Sequence, residues 1–162
     1  MEAAPDLTEV LAAWRRGDAD EARDIFTALG PAGRFRGGIE LYNRRELDLF
    51  AALIPPECEH DMRPTGIPGM DVYRGPAEYR GFLDQWLDAF PDAMIALEEL
   101  EASGDTVLGV IHQTTHGRSS GLAVDFRYAA VVQYDSDGLL RHSWFDTDLE
   151  RARARYHELI AG

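Results

Sequence analysis

Apolar residues recur at helical spacing up to about Phe90 and alternate with polar ones beyond Pro91. At the start, Leu7, Val10, Leu11, Trp14, Ala22, Ile25 and Phe26 mark the apolar positions of one helix and its exit. Asp6 or Thr8 can cap it, RRGDAD interrupts it, and Gly30-Pro31 ends it. A helix pair follows from about Phe35 to Ile54, with Ile39, Leu41 and Tyr42 on its first arm. Leu47, Leu49, Phe50, Leu53 and Ile54 lie on its second arm, and Pro55-Pro56 stops it. CEHDMRP reads as a short strand and TGIPGM as a turn-rich loop. Gly75-Pro76 then opens a helix, because proline's fixed φ suits a first turn. Tyr79, Phe82, Leu83, Trp86, Leu87 and Phe90 recur along that helix at core spacing.

After Pro91 the spacing changes. AMIALEELEA, TVLGVIHQTTH, LAVDFRYAAVVQY and LLRHSWFDTD read as strands, with turns at Ser103-Gly104-Asp105, Gly117 to Gly121 and Asp135 to Gly138. ERARARYHELIA closes the chain as a helix. Helices first and a long antiparallel sheet afterwards define an α+β domain. Such an order suits a curved antiparallel sheet wrapped by helices into a cone-shaped barrel with an internal pocket. We place an N-terminal helical extension over residues 1–32 and the main domain over residues 33–162.

Composition narrows the partners. A chain of 162 residues, 45% of them hydrophobic, can bury one substantial core. Sixteen basic residues stand against 29 acidic ones, a net charge of −13, which disfavours nucleic acid because phosphate binding needs a basic surface. No apolar run approaches the roughly 20 residues of a membrane span. The acidic start MEAAPDLTEV lacks an apolar signal core, so a cytoplasmic location is expected. Every basic residue is arginine, which excludes lysine Schiff-base chemistry and points weakly to a bacterial, GC-rich genome. The single cysteine, Cys58, allows neither an internal disulfide nor a multi-cysteine zinc site. Scattered histidines and the lack of glycine-rich phosphate motifs predict no metal and no organic cofactor.

Four pieces carry a family resemblance: YNRRELDLFAALIPPECEHD, VYRGPAEYRGFLDQWLDAF, GDTVLGVIHQTTHG and DGLLRHSWFDTD. In this order, over about three quarters of the chain, they resemble the SnoaL-like branch of the nuclear transport factor 2-like superfamily, the cystatin-like α+β barrels. The resemblance implies the barrel fold and a small-molecule pocket. It leaves function open, because this fold hosts cyclases, isomerases, dehydratases, epoxide hydrolases and non-catalytic binders. Ketosteroid isomerisation needs a carboxylate base, a tyrosine and a protonated carboxylic acid. The resembling positions hold Arg63, Ala130 and a residue near Gly38, so that activity is not expected.

The remaining candidates follow from strand alternation. His142, Trp144 and Asp146 share one face of the last strand. Relatives keep an aspartate near this strand's end, which makes Asp146 the candidate catalytic base. Capping of the last helix or pairing with Arg151 is the alternative. TTHG resembles a strand end of SnoaL-like cyclases and marks His116 as a candidate proton or hydrogen-bond donor. His112 and His116 would lie roughly 13 Å apart on a strand, too far to chelate one ion. His60 shares a side with Cys58 and Met62 and is the third catalytic candidate, either a pocket donor or a bonded core histidine. Trp144, Tyr128, His142 and Trp86 are the candidate ligand-binding residues.

Two readings stand from the sequence. One is a cofactor-free acid–base enzyme acting on a small apolar compound. The other is a non-catalytic ligand-binding or dimerisation module. The apolar outer-face residues Ala129 and Val131 further suggest a homodimer joined through the sheet.

Overall fold

The computed structural model describes residues 5–162. Two helices, α1 (Thr8–Arg15) and α2 (Ala19–Thr27), stand where one was expected. The break lies inside RRGDAD. Gly17 adopts a φ of 86°, and the Asp18 side chain accepts from the Glu21 N–H at 3.0 Å to start the new helix. This hairpin buries Leu7, Val10, Leu11 and Phe26 together with Leu41 and Leu49 of the main domain. Gly30-Pro31 opens α3 (Gly30–Asn43) rather than closing the preceding segment. Pro31 sits in its first turn, where the missing N–H is no loss. Helix α3 therefore runs through residues 32 and 33, where the domain boundary was drawn.

The short α4 (Leu47–Ala52) leads into β1 (Glu59–Asp61), a three-ten turn at Arg63–Thr65, β2 (Val72–Arg74) and α5 (Gly75–Ala89). Then come β3 (Met94–Ser103), β4 (Thr106–His116), β5 (Ala123–Tyr134), β6 (Leu140–Asp146) and α6 (Leu149–Ala161). They form one curved six-stranded sheet in the order β2-β1-β6-β5-β4-β3. Its long strands are antiparallel, but β1 runs parallel to β6. The long crossover through α5 and β3–β5 makes that pairing reachable. The sheet is open, with β2 and β3 at its edges, and the helices complete the wall.

Alternation divides the sheet cleanly. Ile95, Leu97, Val107, Gly109, Ile111, Gln113, Phe126, Tyr128, Ala130, Val132, Ser143 and Phe145 stack row by row on the inner face. A bulge at Leu97/Glu99 lets Leu97 and Leu100 both reach the core next to it. Gly109 has no side chain because the Phe35 ring of α3 lies against it; a Cβ there would overlap that ring. This contact brings α3 down onto the sheet and sets the depth of the space beneath.

The outer face carries Leu108, Ala129, Val131, Trp144 and Asp146. Helix α6 lies across it with Ala152 and Tyr156, leaving Ala129 and Val131 about 1% exposed. The apolar patch that suggested a dimer is thus covered by the chain's own last helix. Beyond α6 the outer face is polar: Arg127 donates to Glu98 at 2.6 Å, and His112 pairs with Asp125.

Candidate functional site

Between the inner face of the sheet and helices α3–α5 lies a cavity of about 180 Å³. Its middle is apolar, with Phe35, Ile39, Ile111, Ala130, Val132 and Phe145 in the wall. Helix α5 contributes Tyr79, Phe82, Leu83 and Trp86, and the N-terminal hairpin adds Phe26 and Thr27. Among the described residues no aspartate or glutamate lines it.

The polar groups in the wall fall into three sets. At the Phe126 end of β5, the Tyr42 hydroxyl donates to Gln113 Oε1 at 3.4 Å, with the Trp86 indole also at that hydroxyl. Burial pushes the Tyr42 phenol up to about 12, so it stays a neutral donor. Gln113 is 3% exposed and its Nε2 has no partner. In the centre, the His60 ring stacks on Tyr79 with centroids 3.8 Å apart, and its Nδ1 lies 3.7 Å from the Cys58 sulfur. Burial holds His60 down to about 3, with His142 adding a small push in the same direction. The thiol of Cys58 is pushed up to about 12 by burial and by Glu59. Neither group forms a thiolate–imidazolium pair, so Cys58 is an inert core residue. At the other end of β5, the Arg34 guanidinium lies over the Tyr134 ring, 4.4 Å from its centroid. The phenols of Tyr79, Tyr128 and Tyr134 are all shifted upward by burial.

The candidates from the sequence divide between the two faces. His60, Tyr128 and Trp86 line the cavity. Asp146, Trp144 and His142 share a face as expected, but it is the outer one. The Asp146 carboxylate accepts from Arg151 Nε and Nη2, both at 2.7 Å, and from the Asp148 N–H at 2.8 Å. The expectation that it points into the pocket as a base is therefore corrected: α6 docks on its face and Arg151 takes the charge. Trp144 is sandwiched outside the sheet, with His142 stacked at 3.8 Å and Arg155 at 4.9 Å from its centroid. His116 is also turned outward, because Gln113 and Thr115 take the inner positions of β4. Asp92 binds it through the backbone N–H at 2.8 Å and ring Nδ1 at 2.7 Å. These contacts and the Thr115 hydroxyl, the largest cause, hold the Asp92 carboxyl well below the usual carboxylate range.

Sequence reasoning passed over Arg34, Tyr42, Tyr79 and Gln113. Gln113 did leave a trace, as an amide following Val107, Gly109 and Ile111 on one face of its strand. Arg34 left none, since PAGRFRGG has no apolar period. Among the described residues no three His, Cys, Asp or Glu side chains come together as a metal site. No described helix is long and apolar enough to cross a membrane.

With this fold and cavity in view, the comparisons with known proteins identify the class. The SnoaL-like domain family matches residues 35–143, about two thirds of the chain, and the protein belongs to that family. No curated protein matches the chain significantly. Among solved structures, an NTF2-like protein of Burkholderia thailandensis is similar at 25% identity, with a TM-score of 0.61 over 72% of this chain and 91% of that one. A putative SnoaL-like polyketide cyclase of Shewanella denitrificans matches at 12% identity and TM-score 0.59, over 83% of this chain and 97% of that one. A Mycobacterium tuberculosis protein in complex with estradiol-17β-hemisuccinate matches at 14% identity and TM-score 0.58, over 70% of this chain and 89% of its own.

Proposed function

We propose that this chain binds a small, largely apolar compound in the cavity between sheet and helices, and that binding rather than acid–base catalysis is its primary activity. The observation that carries this reading is the cavity wall: mostly aromatic and aliphatic side chains, with no carboxylate among the described residues to act as a base. His60 is the one imidazole in the wall, and at about 3 it is a weak base at neutral pH. The Tyr42, Tyr79 and Tyr128 phenols are neutral donors suited to orienting a carbonyl or hydroxyl. Solved relatives of the same fold hold ring compounds, among them polyporic acid and the steroid ester.

A thermal-shift screen of aromatic and terpenoid compounds, read together with Trp86 fluorescence, tests the proposal. Ligands that raise the melting temperature and perturb Trp86 are expected. Failure of every ring compound to do either overturns it. The catalytic reading survives only through His60, and turnover lost in His60→Phe with binding retained would restore it. Self-association, if it uses the outer face, must use the polar stretch beside Glu98 and Arg127, since α6 covers the apolar part.

A further inference from the structure

Arg34 is a charged side chain of the cavity wall with no counter-charge among the described residues. Arg34 is 6% exposed. Its Nη1 donates to the Thr27 carbonyl at 2.6 Å, its plane covers the Tyr134 ring, and the Tyr134 hydroxyl lies beside it. Gly138, at a φ of 80°, leaves the room it needs: a Cβ there would come within 3.0 Å of Nη1. One carbonyl and one phenol occupy only part of a five-donor fork. Nε is buried with no partner, and among the described residues no carboxylate lies within ion-pairing distance. A buried guanidinium without a counter-charge is strongly unfavourable. The chain nonetheless keeps it on the wall of its cavity, beside Leu139 and Leu140.

We propose that the ligand is an apolar acid whose carboxylate pairs with Arg34 while its hydrocarbon part fills the middle of the cavity. This deepens the binding reading above and rests on it. A carboxylate matches the planar guanidinium in a two-point contact, which a lysine ammonium could not reproduce. It would also supply the counter-charge that the described residues lack. The head belongs at the Tyr134 end of β5. Gln113 faces Phe126, eight residues back along that strand, roughly 26 Å of extended chain away. A short acid held by Arg34 therefore leaves the Gln113 amide free for a carbonyl or hydroxyl at the far end of a longer ligand.

The test compares phenylacetate, phenylpropionate and phenylbutyrate with their primary amides, by calorimetry on the whole protein. Each acid–amide pair has the same shape and differs in charge. The best acid is expected to bind about tenfold or more tightly than its amide, as a charge-assisted contact requires. In Arg34→Met that ratio should collapse towards one through loss of acid affinity, with the amide unchanged. The acid–amide ratio on the unaltered protein needs no variant, so a misfolded Arg34→Met leaves the proposal testable. Amides binding as well as acids overturns the Arg34 assignment and leaves the apolar pocket standing. If neither acids nor amides bind, the Arg34 assignment falls, and the pocket reading falls with it only where the wider ring-compound screen also finds no ligand.

Discussion

Arg151 holds Asp146 through two hydrogen bonds of 2.7 Å on the outer face of the sheet, tying the first turn of α6 to the end of β6. The carboxylate side chain is 3% exposed and the guanidinium 56%. Arg151 also donates to the Pro64 carbonyl at 3.0 Å, so the same side chain reaches the turn after β1. The pair is a structural clasp between three segments.

Asp146→Asn should therefore weaken the fold and leave the cavity alone. Losing the buried charge of this half-exposed pair is expected to lower the melting temperature by about 2–8 °C for a domain of this size. Affinity for cavity ligands should stay within twofold of the parent, about the scatter of a good titration. Calorimetry of unfolding and of binding on the same variant checks both. A selective loss of binding would return Asp146 to the site.

His60 sets a pH dependence. Its folded value lies near 3, against about 6.5 for a free imidazole. Below about 6.5 the unfolded chain takes up a proton that the folded one refuses, so stability is full above that pH and falls as pH drops towards 3. Each unit costs up to about 1.4 kcal/mol in that window. His142, also depressed by burial, adds in the same direction. Denaturant titrations between pH 7 and about 4.5, above most carboxylate titration, should show the slope shrinking in His60→Phe. An unchanged slope would mean that His60 is protonated in the folded state.

Gly109 carries the close approach of α3. In Gly109→Ala the new methyl overlaps the buried Phe35 ring, which must move and tilt α3. Overpacking of this kind costs about 1–3 kcal/mol. The double variant Gly109→Ala/Phe35→Leu should recover part of that loss, as a double-mutant cycle in urea would show. Additive losses would separate the two residues.

The N-terminal hairpin is part of the domain's core. Removing residues 1–29 would uncover Leu41 and Leu49 and take Phe26 and Thr27 from the cavity wall. The truncated chain is expected to aggregate or to lose its cooperative melting transition. A soluble, cooperatively melting product with normal ligand binding would show the hairpin to be dispensable.

Element order and face-sharing were legible in the sequence because each is local. Proline at Pro76, glycine at the turns, and strict alternation along β4, β5 and β6 impose themselves over a few residues, whereas Pro31, read as a stop, opens α3. Alternation placed His142, Trp144 and Asp146 together, and that grouping stands in the structure. A period of two says which residues share a face but not which face is inside. Here both faces of β5 carry apolar side chains, one set for the cavity and one for α6. Only the docking of α6 decided that Asp146 would meet Arg151 instead of a ligand. The same holds for Arg34: it sits between Gly33 and Phe35 with no apolar period around it, and its burial arises from Tyr134 and Gly138, about a hundred residues away along the chain. The sequence alone determined most of the parts and which residues share a strand face; long-range packing determined the strand order, the inside and the charge left there.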